Sequence, residues 1–211
     1  MNTSRRTAGL GLLAYAIGTP VAFLGVGAPG GNYDDGTVRN FVSSGRLVIA
    51  IAMAFLGAFA TLGLLPFASR MRSELRSGGD VFWGLTVAAV AASVIGWFLV
   101  AGVPVVYAEG GKALTGLPHG VAFALGTLSM QMVATAGTFL VGAALLVLAA
   151  RAPLPGAIRA ITIVGGVAGL IAAFYFPVFL FFLAAIVLGG WTLASGTREA
   201  ATPTQVQHQP V

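Results

Sequence analysis

The chain has 211 residues, of which 57% are hydrophobic and 8% charged, with a formal net charge of +5 and a mean hydropathy of +0.93. Soluble chains carry about 25% charged residues, so this one has too little charge to cover a water-exposed globule; a soluble enzyme and a disordered chain are both excluded. With no cysteine there is no disulfide framework, thiolate zinc site or catalytic thiol.

Crossing a hydrocarbon core takes about 20 apolar residues. Charge-free runs of that kind lie at 8–27, 47–69, 81–103 and 121–150. A further charge-free stretch, 160–195, would be about 54 Å long as one helix, too long even when tilted. Its centre holds Phe174, Tyr175, Phe176 and Pro177, and proline disfavours helix continuation while aromatics gather at membrane interfaces. The reading is two spans, 160–174 and 177–195, joined by a tight aromatic turn; one kinked helix is the alternative. The expected fold is an all-α polytopic transmembrane bundle of six spans, with five possible. Residues 197–211 are polar, with two prolines, and are expected to form a disordered cytoplasmic tail.

Arg5, Arg6, Arg70, Arg72, Arg76, Arg151, Arg159 and Arg198 fall on one side of this topology, against Arg39, Arg46 and Lys112 on the other. Basic residues near span ends are retained in the cytoplasm, so both termini are expected there. The basic balance is read as topology and not as a nucleic-acid footprint. Arg5-Arg6 before an apolar run, with Val26-Gly27-Ala28 as a small-residue cleavage site, also fits a signal peptide. The run is longer than such h-regions, and a retained span is expected. Ten arginines to one lysine, among many Ala and Gly, point to a GC-rich bacterial genome, hence a plasma (inner) membrane.

The sequence echoes itself. Phe23-Leu24-x-x-Gly27-x-Pro29 returns as Phe98-Leu99-x-x-Gly102-x-Pro104, and each copy is followed by a tyrosine, a carboxylate and a glycine: Tyr33, Asp34, Asp35 and Gly36, then Tyr107, Glu109 and Gly110. Two repeated hairpins and a divergent third are inferred. The proline is expected to end the helix and the glycine to turn the chain. Tyrosine suits the interface, and the carboxylate can accept turn N–H groups. The sharper alternative is that Asp34, Asp35 and Glu109, with Tyr33 and Tyr107, bind a cationic ligand at the outer mouth.

Small residues recur at four-residue spacing: Gly84, Ala88, Ala92 and Gly96; Gly165, Gly169 and Ala173; Ala185 and Gly189. Gly11, Gly18, Ala22 and Gly25 lie near one face of the first span. Small faces let helices approach where lipid supplies no hydrophobic drive, so these are expected as contacts within the chain, with a homo-oligomer interface as the alternative. Thr19-Pro20 and Pro66 are expected to kink their helices and open space, with kinks that serve only packing as the alternative.

On the fourth span, Gly120, Ala124, Thr127, Gln131, Thr135, Thr138 and Gly142 share one face. Gln131 falls about 18 Å along the helix from His119, near mid-membrane. An amide in hydrocarbon needs partners, so the face should look inward, either for interhelical hydrogen bonds or as the polar lining of a ligand site. Gln131, Thr127 and Thr135 are its candidate ligand-binding residues. His119, before this span, is read as an interfacial residue with ligand binding as the alternative. No Asp, Glu, Lys or Arg lies within a span, which weighs against a proton-coupled transporter. No catalytic residue, metal or cofactor is expected.

Arg6-Thr7-Ala8-Gly9 at the start, and Pro177 followed by Trp191-Thr192-Leu193-Ala194-Ser195-Gly196 at the end, resemble a broad family of uncharacterised bacterial six-span membrane proteins. The resemblance implies a six-helix plasma-membrane fold and no defined activity. The functional expectation is a non-enzymatic accessory, assembly or sensing membrane protein. The alternatives are a small channel or facilitator for a neutral or weakly polar solute, and an intramembrane enzyme with an outer-face site. Partners are the lipid bilayer and a membrane protein or a second copy of the chain.

Overall fold

A computed structural model describes residues 4–27, 46–75, 77–110, 124, 128–174 and 176–201, and every regular element among them is helical. Helix α1 spans Arg5–Val26; the Ser4 hydroxyl accepts from the Thr7 amide at its start, and Gly27, at φ 57°, closes it in the left-handed conformation that glycine adopts without a Cβ penalty. Helix α2, Arg46–Leu62, and α3, Leu64–Glu74, form one pass jointed at Gly63. Pro66 has no N–H to offer the Leu62 carbonyl, hence the joint. Helix α4 is Gly79–Gly110. A π-helical turn, Met132–Gly137, leads into α5, Thr138–Arg151. Helix α6, Gly156–Leu170, ends in a 3-10 turn, Ala172–Phe174, and α7 runs over Phe176–Ala201 with Pro177 in its first turn, where proline is tolerated.

Five of these segments are long and apolar enough to cross a membrane, and α6 is a shorter apolar helix. Close approaches set the directions of the passes. Gly11 meets Gly63 and Gly25 meets Met53; Gly57 meets Trp97; Gly96 meets Val133 and Gly137 meets Ser93. Gly142 meets Gly166, Gly165 meets Ala184, and Gly9 meets Leu193 while Gly196 meets Arg5. Every neighbour is antiparallel, and α7 returns to pack on α1, closing a ring of six passes. Both ends of the bundle therefore lie at one face, as six passes require and five would not.

The ring is filled. In the half near that face, Leu12 and Tyr15 of α1, Phe67 and Met71 of α3, Phe82 of α4, Leu145 and Leu148 of α5, and Phe181 and Leu188 of α7 form one buried cluster. Tyr15 meets Phe181 edge-on at 6.3 Å, and Phe67 meets Phe82 likewise. A second cluster in the other half gathers Ala22, Val26, Ala50, Ala54, Ala58, Trp97, Val100 and Val133. The outward surface is apolar too, with Leu24, Val48, Phe59, Phe179 and Leu183 exposed, as a lipid-facing surface should be.

Several expectations are revised. The second copy of the echo does not end its helix: α4 runs through Gly102 and Pro104 to Gly110, whereas the first copy stops at Gly27. Pro29 stands among Gly30, Gly31 and Asn32, but Pro104 is followed by Val105, Val106 and Tyr107, which lack the glycines that ease a turn. The small stripe on this helix faces out at Gly84 and Ala88, and only Gly96 is buried. Its inward face is instead Phe82, Thr86, Ala89, Ser93, Trp97 and Val100. The stripes of α1, α6 and α7 do make helix seams, with Gly18 against Ala60, Gly169 against Gly142 and Phe181, and Gly189 against Leu13. The Pro66 joint opens no space, because Gly11 fills it. The helical backbone of α7 continues to Ala201, beyond the expected span end; residues 202–211 lie outside the described part.

Candidate functional site

Two polar features interrupt the apolar interior. The first is the π-helical turn after Gln131. A π turn adds residues to the 3.6-residue period, so the faces before and after it no longer coincide. The single polar face expected from α-helical spacing is accordingly divided. Ala124 is exposed, Gln131 and Thr135 are half-buried, and Thr138 and Gly142 are buried in seams with neighbouring helices. Gln131 Oε1 accepts from Thr135 Oγ1 at 2.5 Å, a bond within the one segment. Beside them, Ser129 and Val133 press on Gly96, and Ser93 Oγ occupies the space a Cβ on Gly137 would need. The turn is thus sealed against α4 on one side and offers Gln131 and Thr135 on its half-buried side.

The second feature is two atoms of the apolar interior, Thr19 Oγ1 and Trp97 Nε1, that are buried without a partner among the described residues. Other buried threonines satisfy themselves: Thr61, Thr86, Thr138, Thr162 and Thr192 each donate to the carbonyl four residues earlier, the usual back-bonding that excuses a hydroxyl from needing an interhelical partner. Thr19 makes no such bond, and Pro20 after it withdraws the N–H that the Ala16 carbonyl would have accepted. Trp97 is fully buried with its ring against Gly57, and Ala22, one turn from Thr19, shares its cluster. An unmade hydrogen bond on a buried group costs about 1–3 kcal/mol, so the second cluster is where the interior carries uncompensated polarity.

A third polar layer lies at the face where both bundle ends meet. Arg5 Nε donates to Glu74 Oε1 at 2.9 Å, and Arg70 Nε ion-pairs with the same oxygen at 2.8 Å, joining α1 to α3. Arg72 reaches Asp80 at 2.6 Å, in the first turn of α4, where a carboxylate also suits the helix dipole. Arg72 further covers the Trp83 ring at 6.0 Å. Arg151 and Arg159 lie at the same face, across the 152–155 connection, and Arg46 opens α2 at the opposite one. Sequence reasoning counted these arginines but missed Glu74 and Asp80. Four-residue spacing from Arg70 to Glu74 was the available signal.

Of the candidate ligand residues, Gln131 and Thr135 are brought together. Tyr33, Asp34, Asp35, His119 and Thr127 lie outside the described residues. Tyr107 and Glu109 belong to the described backbone of α4, in a helix and not in the turn expected for them. Among the described residues no group of three or more His, Asp or Glu converges in a way that would hold a metal ion.

No protein-family model matches the chain, and no curated protein or solved structure matches it.

Proposed function

We propose that the chain is a non-enzymatic integral protein of a bacterial plasma membrane, with both termini cytoplasmic, acting as an accessory or assembly component for other membrane proteins. The observation that carries this reading is the filled axis of the ring. Tyr15, Phe67, Phe82, Phe181 and Leu188 are all less than 2% exposed and pack as one cluster contributed by most of the passes. Interiors packed to this degree have little room for passage, so the bundle is better suited to present surfaces than to conduct. The accumulation of arginines at one face supports the cytoplasmic assignment, and the antiparallel apolar passes support an integral membrane bundle.

Affinity isolation of the tagged full chain in mild detergent is the test. A stoichiometric integral membrane protein is expected to copurify. Isolation of the chain alone, together with selective solute flux in liposomes, would overturn the reading. Reporter fusions after Arg39 and at the C-terminus test orientation: activity of a periplasm-dependent reporter is expected at the first site and not at the second.

A second reading, a facilitator or binding protein for a small neutral solute, is favoured by one observation, the π turn at Gln131. Such turns recur at functional sites, and this one places an amide and a hydroxyl together on a half-buried side. Gln131→Leu and Thr135→Val should abolish solute flux or binding if this reading holds, and leave partner isolation unchanged if the first one does.

A further inference from the structure

The connection 152–155 and the chain at Ser77 and Gly78 border a cleft of about 380 Å³ lined by Ser77, Ala150, Arg151, Ala152, Pro153 and Arg159. Small-molecule sites occupy about 300–1,000 Å³. Gly78, at φ 77°, is left-handed and lies against Val147 and Arg151 of α5. Arg151 Nη1 donates to Ser77 Oγ at 3.3 Å, and Arg159 Nη2 donates to the Ala152 carbonyl at 3.4 Å. Both bonds are long, and a guanidinium has five N–H donors, so each arginine keeps most of its donors for something else.

The charges here are unbalanced. At the same face Arg5, Arg70 and Arg72 are matched to Glu74 and Asp80. Arg151 and Arg159 pair with no carboxylate among the described residues, and none of the six lining residues is acidic. Helix α6 opens at Gly156, immediately beyond this connection, with no side-chain cap, so its first N–H groups add positive potential nearby. Two guanidinium forks and a hydroxyl around one cavity match the geometry of a phosphate group. The cleft also sits where α5 and α6 leave their apolar segments, the level at which basic pockets meet anionic headgroups.

We propose that Ser77, Arg151 and Arg159 form a phosphate-group binding site between Ser77-Gly78 and the 152–155 connection. Its ligand is the phosphate of an anionic phospholipid headgroup or a free phosphate. The site goes beyond the accessory reading and does not depend on it.

The experiment uses the full chain in detergent and compares retention of phosphatidylglycerol with that of phosphatidylcholine by native mass spectrometry. Inorganic phosphate serves as competitor, with chloride at equal ionic strength as its control. Phosphatidylglycerol is expected to be retained in preference. R151Q/R159Q should lower its apparent affinity about tenfold or more. The charge-matched R6Q/R46Q, outside the cleft, should stay within about twofold. Loss of lipid preference in the cleft variant without competition by phosphate identifies a headgroup site. Competition by millimolar phosphate identifies a free-phosphate site. Equal retention of the two lipids with no effect of phosphate overturns the proposal, as does an equal loss in both variants. Arg151 and Arg159 are exposed, so the cleft variant should elute as the wild type does. If it does not, a rise in melting temperature of the unmutated chain with phosphatidylglycerol over phosphatidylcholine, or with phosphate over chloride, reads the same site, and the absence of both counts against the proposal.

Discussion

Gly11 and Gly63 meet backbone to backbone where α1 crosses the α2–α3 joint. A methyl added at Gly63 would overlap the Gly11 carbonyl oxygen, and one added at Gly11 would overlap the Gly63 carbonyl oxygen. Ordinary Cβ contacts begin near 3.4 Å, so Gly63→Ala must separate the two passes by about 1 Å. A gap of that size forfeits roughly a quarter to a half of each dispersion contact along the seam. Overpacking costs about 1–3 kcal/mol, offset by at most about 1 kcal/mol from the better helix propensity of alanine. The expected net loss is about 2 kcal/mol. Gly84→Ala is the matched control, because no atom lies within 4 Å of its added methyl; it should be neutral or slightly stabilising. Since one methyl already parts the helices, Gly11→Ala/Gly63→Ala should cost clearly less than the sum of the single changes. Reversible unfolding in mixed micelles of dodecyl sulfate and maltoside, followed by far-ultraviolet circular dichroism, measures the wild type, the three single variants and the double. Wild-type stability for Gly63→Ala, equal losses at Gly63 and Gly84, or strict additivity of the pair would each refute the close-approach argument.

Glu74→Gln releases Arg5 and Arg70 together from a carboxylate that is 17% exposed. A loss of about 1–3 kcal/mol is expected in the same unfolding assay, between the values for surface and buried pairs, while Asp80→Asn, at an 86% exposed carboxylate, should change stability by less than about 0.5 kcal/mol. Trp97→Ala should cost about 3–5 kcal/mol, whereas Trp97→Phe retains an aromatic ring, removes the unpartnered indole N–H, and should cost less than about 1.5 kcal/mol; comparable losses in the two would mean the buried N–H is satisfied. Gly78→Ala forces an L residue into the left-handed region and should cost about 1–2 kcal/mol, with Gly78→Asn milder; thermal unfolding followed by light scattering distinguishes them.

Composition and the spacing of charge-free runs were enough to determine that the chain is a helical membrane bundle, because hydrocarbon admits a span only when its backbone bonds are internal and its side chains apolar. The clustering of arginines at one face was legible for the same reason, as was the break between α6 and α7, where Pro177 marks the restart of a helix. Packing decided the rest. Whether Gly84 or Gly96 is a contact depends on which side of α4 meets α5, and both have the same spacing in sequence. The passage of α4 through Pro104 reflects its following valines and not the motif it shares with Pro29. The π turn leaves no mark in the sequence, because a 3.6-residue period fits the residues on both sides of Gln131 equally well. Glu74 meets Arg5, and Ser77 meets Arg151, across 69 and 74 residues of chain. Such pairs are created by the closing of the ring, since a linear sequence records which groups are present but not which distant groups the folded passes bring to one depth.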